Sequence, residues 1–223
     1  MSSRERSDSS SVAGDDWLPV LEALLEGFNH SLNNRVAALG GIAQLLEMKL
    51  ASRDEGGRSV ATEVALLREQ MGLMRHLAPP RKNPREAGRA GDALRTAAKL
   101  LFQHREARTH KYEIAEEPSE LEPLLLLRAD HVRVGVLVLL AASEGAKHEI
   151  RVNVKFEARA GAVRIIATTP VALDELQVTH AFRALVRFAA AEGGGCTAAA
   201  APSETTTLIL ELPGLAAASV SPP

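Results

Sequence analysis

The chain is organised around the segment Phe28-Asn29-His30-Ser31-Leu32-Asn33-Asn34-Arg35, in the middle of its longest amphipathic stretch. Large apolar residues recur there every three or four positions, as one face of a helix requires. At roughly 100° per residue they fall within an arc of about 120°, and His30 lies roughly 180° from the middle of that arc. The pattern predicts a helix over residues 16–51 that exposes His30, with Asn34 beside it. The apolar face comprises Leu18, Leu21, Leu25, Phe28, Leu32, Val36, Leu39, Ile42, Leu46 and Leu50.

Composition excludes several classes of function. With 223 residues and 46% apolar residues, the chain can form one large or two modest domains, and we favour two. Aromatic residues make up 3% and the net charge is -2, which disfavours stacking on nucleic-acid bases and attraction to phosphate backbones or anionic membranes. The single cysteine, Cys196, cannot form an internal disulfide, and no apolar run is long enough to cross a bilayer. We expect a cytoplasmic protein without a membrane anchor.

A second helix should follow the first. A turn is predicted at residues 52–57, which read Ser-Arg-Asp-Glu-Gly-Gly. Apolar residues then recur at helical spacing until Pro79-Pro80. Residues 16–80 therefore form a helical hairpin, preceded by a flexible leader at residues 1–15. Because two helices bury a single seam poorly, we expect two copies to form a four-helix bundle, and thus a homodimer. Core candidates in the hairpin include Leu45, Leu50, Val60 and Met71.

Residues 81–91, rich in proline, glycine and basic side chains, form the predicted linker to a second domain at residues 92–213, with a loose tail at residues 214–223. Its clearest signal is a strand near residues 150–156, where apolar and polar residues alternate. A partner strand near residues 163–167 makes a hairpin. We expect helices near residues 92–102, 129–146 and 178–192, and further strands near residues 111–114, 197–201 and 206–212. Helices on one side of a mixed sheet form an α/β sandwich.

Taken together, these features resemble a bacterial sensor histidine kinase over residues 17–213. The segment from His30 to Leu46 contains His-Ser-Leu-Asn-Asn-Arg and later Gly-Ile-Ala-Gln-Leu-Leu, and it is similar to the phospho-acceptor box of one kinase subgroup. The second half resembles the family's ATP-binding domain, a Bergerat-like α/β sandwich, ending with Gly193-Gly194-Gly195 and a final strand. The resemblance implies a dimeric four-helix bundle that carries a phosphorylated histidine, followed by a nucleotide-binding fold.

The nucleotide-binding residues of that family are missing here. Ala141 stands where the family has an asparagine that helps to hold magnesium, and alanine has no ligating side chain. The family's Asp-x-Gly-x-Gly is replaced by residues 168–172, where Thr168, Pro170 and Ala172 stand in place of the aspartate and the two glycines. Residues 173–176 offer carboxylates and no glycine, which is a poor cradle for phosphate. We therefore expect a degenerate domain that binds neither ATP nor a cofactor or metal of its own.

Ser31 occupies the position where the family has an acid that can act as a base on the histidine. Neutral imidazole is nonetheless a competent nucleophile near physiological pH, because its unperturbed pKa is about 6.5. Phosphate could then come from an aspartyl phosphate, whose receiver domain brings the Mg²⁺ that handles the charge. The resemblance gives Asn34 a secondary role as a polar assistant.

Two functions fit this pattern, and a third is disfavoured. The first is a histidine phosphotransferase of the ChpT type, in which His30 takes phosphate from one response-regulator receiver and gives it to another. The alternative is a non-catalytic dimeric binding module that scaffolds or inhibits a histidine kinase or response regulator. The disfavoured third is an active kinase with an aberrant nucleotide site. Residues predicted to contact the partner are Glu26, Ser31, Asn33, Arg35, Ala37 and Ala38.

Overall fold

A computed structural model of the chain describes residues 9–47, 53–77, 87–104, 107–116, 126–128, 132–159, 162–201 and 204–213. Its first half contains helix α1 (Ser9–Glu47), helix α2 (Arg53–Met74) and a short 3-10 helix (Arg75–Leu77). The two long helices contact each other, as the spacing of their apolar residues predicts.

Helix α1 begins at Ser9, before the predicted start at residue 16, so the end of the expected leader is helical. Extending an existing helix costs far less than nucleating one, and the helix continues even through Pro19, which has no N–H to donate. Residues 1–8 of the leader and the predicted helix end at residues 48–51 lie outside the described part of the chain. The turn predicted at residues 52–57 is wrong from residue 53 onward, because α2 begins at Arg53 and its first turns include Gly56 and Gly57.

The second half contains two antiparallel three-residue strands that the sequence analysis did not predict. β1 (Ala87–Arg89) pairs with β3 (Leu126–Arg128), so the end of the predicted linker is structured, while residues 81–86 lie outside the described ranges. A strand this short depends on a distant partner, and local periodicity cannot reveal it. The other elements are α3 (Ala90–Leu101), a 3-10 helix (Ala107–Thr109), β2 (Lys111–Ile114), α4 (Val132–Ala141), β4 (Arg151–Arg159), β5 (Ala162–Thr169), α5 (Leu173–Val178), α6 (His180–Ala191), β6 (Gly195–Ala200) and β7 (Thr206–Pro213).

The larger sheet has five strands in the order β2-β4-β5-β7-β6. β2 runs parallel to β4, and the other neighbours are antiparallel, which confirms the prediction of a mixed sheet with helices. Side chains alternate across it as the pleat requires: Val152 and Val154 are buried, whereas Arg151 and Asn153 are exposed. One face of the sheet therefore belongs to the core.

Helices α3, α4 and α6 complete this core, and α1 contributes to it through Trp17, Val20, Leu24 and Phe28. Leu24 and Phe28 are completely buried, and burial of such a side chain stabilises the fold by about 1.5–3 kcal/mol. The buried face of α1 therefore differs from the predicted one, because this end of the helix packs against α6.

Several predicted core residues are exposed to solvent in the single chain. The exposed fractions are 50% for Leu18, 62% for Val36, 44% for Leu45 and 60% for Met71. Leu45 and Met71, which are predicted core residues of the hairpin, are therefore not buried within the single chain. Val60 is half-buried, and Leu50 lies outside the described residues.

Candidate functional site

His30 lies two residues after the completely buried Phe28 on α1 and is exposed. The amide nitrogen of Asn34, one helical turn later, is 3.3 Å from His30 Nε2. Because an amide nitrogen can only donate, this contact fits the tautomer that carries its proton on Nδ1 and a lone pair on Nε2. The imidazole thus offers an unprotonated nitrogen on the outside of the helix.

Ser31 points toward the second helix of the hairpin. Its hydroxyl oxygen accepts a hydrogen bond of 2.5 Å from Nε2 of Gln70 on α2. Gln70 is only 4% exposed, and its Oε1 has no partner in the described part of the chain. The residue next to His30 is therefore committed to holding α1 against α2, and it has no carboxylate that could act as a base.

Arg35 also joins the two helices. Its Nη1 donates to Glu63 Oε2 on α2 at 3.0 Å, and both side chains are about three quarters buried, with exposures of 24% and 23%. An ion pair that is partly shielded from water is screened less than a surface pair. Of the predicted partner-contacting residues, Ser31 and Arg35 thus serve the hairpin itself, whereas Glu26, Asn33, Ala37 and Ala38 are exposed.

A cleft of about 550 Å³ opens beside His30, between the hairpin and the second half of the chain. Its hairpin side includes Glu26, Gly27, Ser31, Asn34 and Gln70 as well as the imidazole. Its other side consists of Phe102 and Gln103, which follow α3, and Arg108 on the 3-10 helix. The sequence does not predict these last three residues at the site, because no local pattern indicates which loop will pack beside a helix that lies some 70 residues earlier in the chain.

The close packing of these two sides depends on Gly27. A Cβ atom at this position would lie 1.7 Å from the carbonyl oxygen of Gln103. Only glycine allows the two backbones to approach so closely. Phe102, by contrast, is 71% exposed, and it also borders a second groove of about 430 Å³ between α2 and α3.

The positions where the resemblance leads us to expect nucleotide ligands differ in their burial. Ala141 is completely buried at the end of α4, while Pro170 and Ala172 are exposed in the turn after β5 and Thr168 is half-buried. The neighbouring Thr169 donates its hydroxyl to the carbonyl of Ala142 at 2.5 Å. The same oxygen accepts from the amide of Val171 at 3.3 Å. These bonds tie the turn to the end of α4.

The amino-terminal end of α6 already has an anionic partner. The amide of Ala181 donates to Oε2 of Glu144 at 2.9 Å, and the amide of Phe182 donates to the hydroxyl of Thr179 at 3.2 Å. Helix amino-termini attract anions because their first N–H groups lack partners within the helix. Here a carboxylate of the chain itself occupies that position, where a phosphate would otherwise be favoured.

The remaining candidates offer little chemistry. Within the described ranges, no three His, Cys, Asp or Glu side chains are grouped so that they could hold a metal ion. Burial raises the pKa of the Cys196 thiol to about 12, so it is not a thiolate nucleophile at neutral pH. Among the helices that the structure describes, none combines the length and the apolar character needed to cross a bilayer.

No protein-family model matches the chain, and no curated protein matches it. Among solved structures, the chain is similar to the histidine kinase AdeS of Acinetobacter baumannii, with 13% identity, a TM-score of 0.41 and coverage of 82% of this chain and 97% of that one. The chain is also similar to a bacterial phosphotransferase, with 15% identity, a TM-score of 0.45 and coverage of 86% of this chain and 96% of that one. The histidine kinase domain of the E. coli osmosensor EnvZ is also similar, with 12% identity, a TM-score of 0.40 and coverage of 60% of this chain and 92% of that one. Every one of these TM-scores is below 0.5.

Proposed function

We propose that this protein is a histidine phosphotransferase of a two-component phosphorelay. In this proposal His30 accepts a phosphoryl group from the aspartate of one receiver domain and passes it to another receiver, without ATP. The observation that carries the proposal is the exposed imidazole on α1, whose Nε2 faces the amide of Asn34 at 3.3 Å beside an open cleft.

The chemistry needs no base from this chain. The lone pair on His30 Nε2 attacks the phosphorus of the aspartyl phosphate, an N–P bond forms, and the P–O bond breaks. The aspartate leaves as a carboxylate, and the proton on Nδ1 stays on the ring, which becomes a phosphoimidazolium. Asn34 must release Nε2 before the attack, and its amide can then donate to the phosphoryl oxygens. The Mg²⁺ that balances the phosphate charge belongs to the receiver.

The absence of an ATP-dependent step is supported by the second half of the chain. Ala141 is buried and cannot ligate magnesium, Thr169 closes the turn after β5 with its own hydrogen bonds, and Glu144 caps α6. Phosphate must then arrive already activated. An aspartyl phosphate meets this requirement because transfer from it needs no nucleotide.

We further propose that the active form is a homodimer, in which two hairpins make a four-helix bundle. The support is the apolar surface that one hairpin leaves in water, with Val36 at 62% and Met71 at 60% exposure. Residues of this kind on two contacting helices indicate a surface that a second copy covers.

The test is to mix the purified protein with candidate receiver domains that carry phosphoaspartate, with and without ATP. We expect acid-labile phosphate to appear on this chain without ATP, and His30→Ala to abolish it. The matched control is His180→Ala, which removes an exposed histidine at the start of α6 and should leave transfer unchanged.

Two results would overturn the proposal. Labelling by ATP alone, with no receiver present, would identify an autokinase. A protein that binds receivers or a kinase, is never labelled, and keeps its effect in cells after His30→Ala would instead be the binding module that inhibits or scaffolds its partner.

A further inference from the structure

We propose that Arg108 holds the phosphoryl group on phosphorylated His30, so that the second half of the chain contributes a positioning residue to the site. This inference rests on the proposed function and deepens it, because it assigns an anion-binding role across the cleft. The ligand is a phosphoryl dianion attached to an imidazole nitrogen.

The first support is location. Arg108 lies on the 3-10 helix Ala107–Thr109 and lines the same cleft as His30 and Asn34. Its side chain is exposed, and within the described ranges it forms no hydrogen bond or ion pair. The other arginine of the cleft, Arg35, is already paired with Glu63. Among the described residues that line the cleft, Arg108 is therefore the cation without a partner.

The second support is that the backbone beneath Arg108 is held firmly. Ala107 is 2% exposed, its amide donates to His104 Nδ1 at 3.3 Å, and its carbonyl accepts from the hydroxyl of Tyr112 at 3.5 Å. The amide of Arg108 donates to the carbonyl of His104 at 3.0 Å. Because the backbone is already fixed, only the side chain of Arg108 has to be ordered when an anion binds, which lowers the entropic cost of binding.

The third support is the charge of the cleft. Glu26 brings a carboxylate to it one turn before His30 on α1, and no cation is paired with this carboxylate in the described residues. A phosphoryl dianion on His30 would be repelled by Glu26, so a cation on the opposite wall is needed to hold it. A guanidinium suits this task because its planar array of N–H groups can donate two parallel hydrogen bonds to phosphate oxygens.

The experiment separates this inference from the phosphotransfer function. Phosphoramidate phosphorylates histidine chemically, so phosphohistidine can be made in the intact protein without any receiver, and its ³¹P resonance can be assigned to His30 by its loss in His30→Ala. A nearby guanidinium stabilises the dianion, so the resonance should titrate at lower pH in the wild type than in Arg108→Gln. Arg108→Lys should restore most of the difference, and Glu26→Gln should shift the titration to still lower pH.

Arg151→Gln is the matched control, since it removes an exposed arginine from the open face of the sheet, where Arg151 pairs with Glu113 at 3.2 Å. With a competent receiver, Arg108→Gln should also lower the equilibrium ratio of phosphohistidine to phosphoaspartate by about tenfold. The inference fails if the ³¹P titrations of Arg108→Gln, Arg151→Gln and the wild type coincide. If they differ but no receiver transfers phosphate, the anion site stands and the proposed relay function is wrong.

Discussion

At the scale of single residues, a buried polar side chain of the second half can keep its hydrogen bonds by contacting another element. Tyr112 shows this best. Its hydroxyl contacts Ser143 Oγ at 3.1 Å, and Ser143 in turn donates to the carbonyl of Leu139 at 2.8 Å. The phenol on β2 is thereby linked to the end of α4. Burial disfavours the charged phenolate and raises the pKa of Tyr112 to about 12, although the side-chain hydrogen bond with Ser143 acts to lower this pKa.

This arrangement predicts the alkaline behaviour of the protein. Tyr112 is the chain's single tyrosine, so the absorbance of phenolate reports on it alone. We expect a midpoint near 12 in the folded protein and near 10, the ordinary value, in concentrated guanidinium. Because the folded-state pKa is raised, the neutral phenol stabilises the folded state below about pH 10, and this stabilisation is lost as the pH rises through the interval up to 12.

The control is Tyr112→Phe, which removes the titration and should reduce the loss of stability above about pH 10. A native midpoint at the ordinary value would mean that Tyr112 is exposed to water and that the contact with Ser143 is not formed.

At the scale of elements, α1 serves two partners at once. One side contacts α2 through Ser31 and Arg35, and its amino-terminal half packs against the core through Trp17, Leu24 and Phe28. The guanidinium of Arg133 on α4 lies 5.3 Å from the centre of the Trp17 ring, a cation–π geometry that adds to this contact. The helix that carries His30 is therefore held by both halves of the chain.

Two glycines on α1 predict opposite effects of the same substitution. Gly27→Ala would force a methyl group onto the Gln103 carbonyl at 1.7 Å, so we expect a loss of about 1–3 kcal/mol in the free energy of unfolding. Gly40→Ala meets no atom within 4 Å and should stabilise the helix by about 0.5–1 kcal/mol.

Denaturant unfolding followed by the fluorescence of Trp17, the chain's single tryptophan, measures both effects. Trp17 is 8% exposed, so a displaced α1 should also shift its emission to longer wavelength in the folded Gly27→Ala protein. Equal stabilisation by the two substitutions would show that α1 and the segment after α3 do not approach each other so closely.

At the scale of the whole molecule, exposed apolar side chains are distributed unevenly. Leu18, Val36, Leu45 and Met71 lie on the hairpin, while Phe102 and Val178 belong to the second half. Hydrophobic surface of this kind costs free energy in water until it is covered. The proposed homodimer covers the hairpin residues and leaves the exposed His30 of each copy available to a receiver.

Charge placed on the covered surface should separate the dimer. We expect Val36→Glu combined with Met71→Glu to give a monomer in sedimentation experiments, under conditions where the wild type is a dimer, because a buried unpaired carboxylate is strongly disfavoured. The matched control is Val178→Glu, which changes a valine of 64% exposure on α5.

The control variant should sediment as the wild type does. A wild-type protein that stays monomeric at all accessible concentrations would exclude the four-helix bundle, and dimerisation that survives the two hairpin charges would place the contact elsewhere.

The periodic patterns were the most informative part of the sequence. The alternation in β4 and β5 predicted both strands and their buried faces, since the side-chain direction in a pleated strand follows from backbone geometry alone. The spacing around Phe28 predicted the long helix and the exposure of His30 for the same reason. Chemical identity at single positions, such as the alanine at position 141, also needs no tertiary information.

What the sequence by itself determined was thus the type of the main elements and the exposed histidine. The tertiary structure decided which face of α1 is buried, how Ser31 is used, and that Arg108 lies across a cleft from the histidine. The physical reason is how far apart along the chain the residues that determine each property lie. Periodicity and side-chain chemistry are local properties, whereas burial and the cleft depend on contacts between residues far apart in the chain, whose free energies are gained only when the whole domain packs.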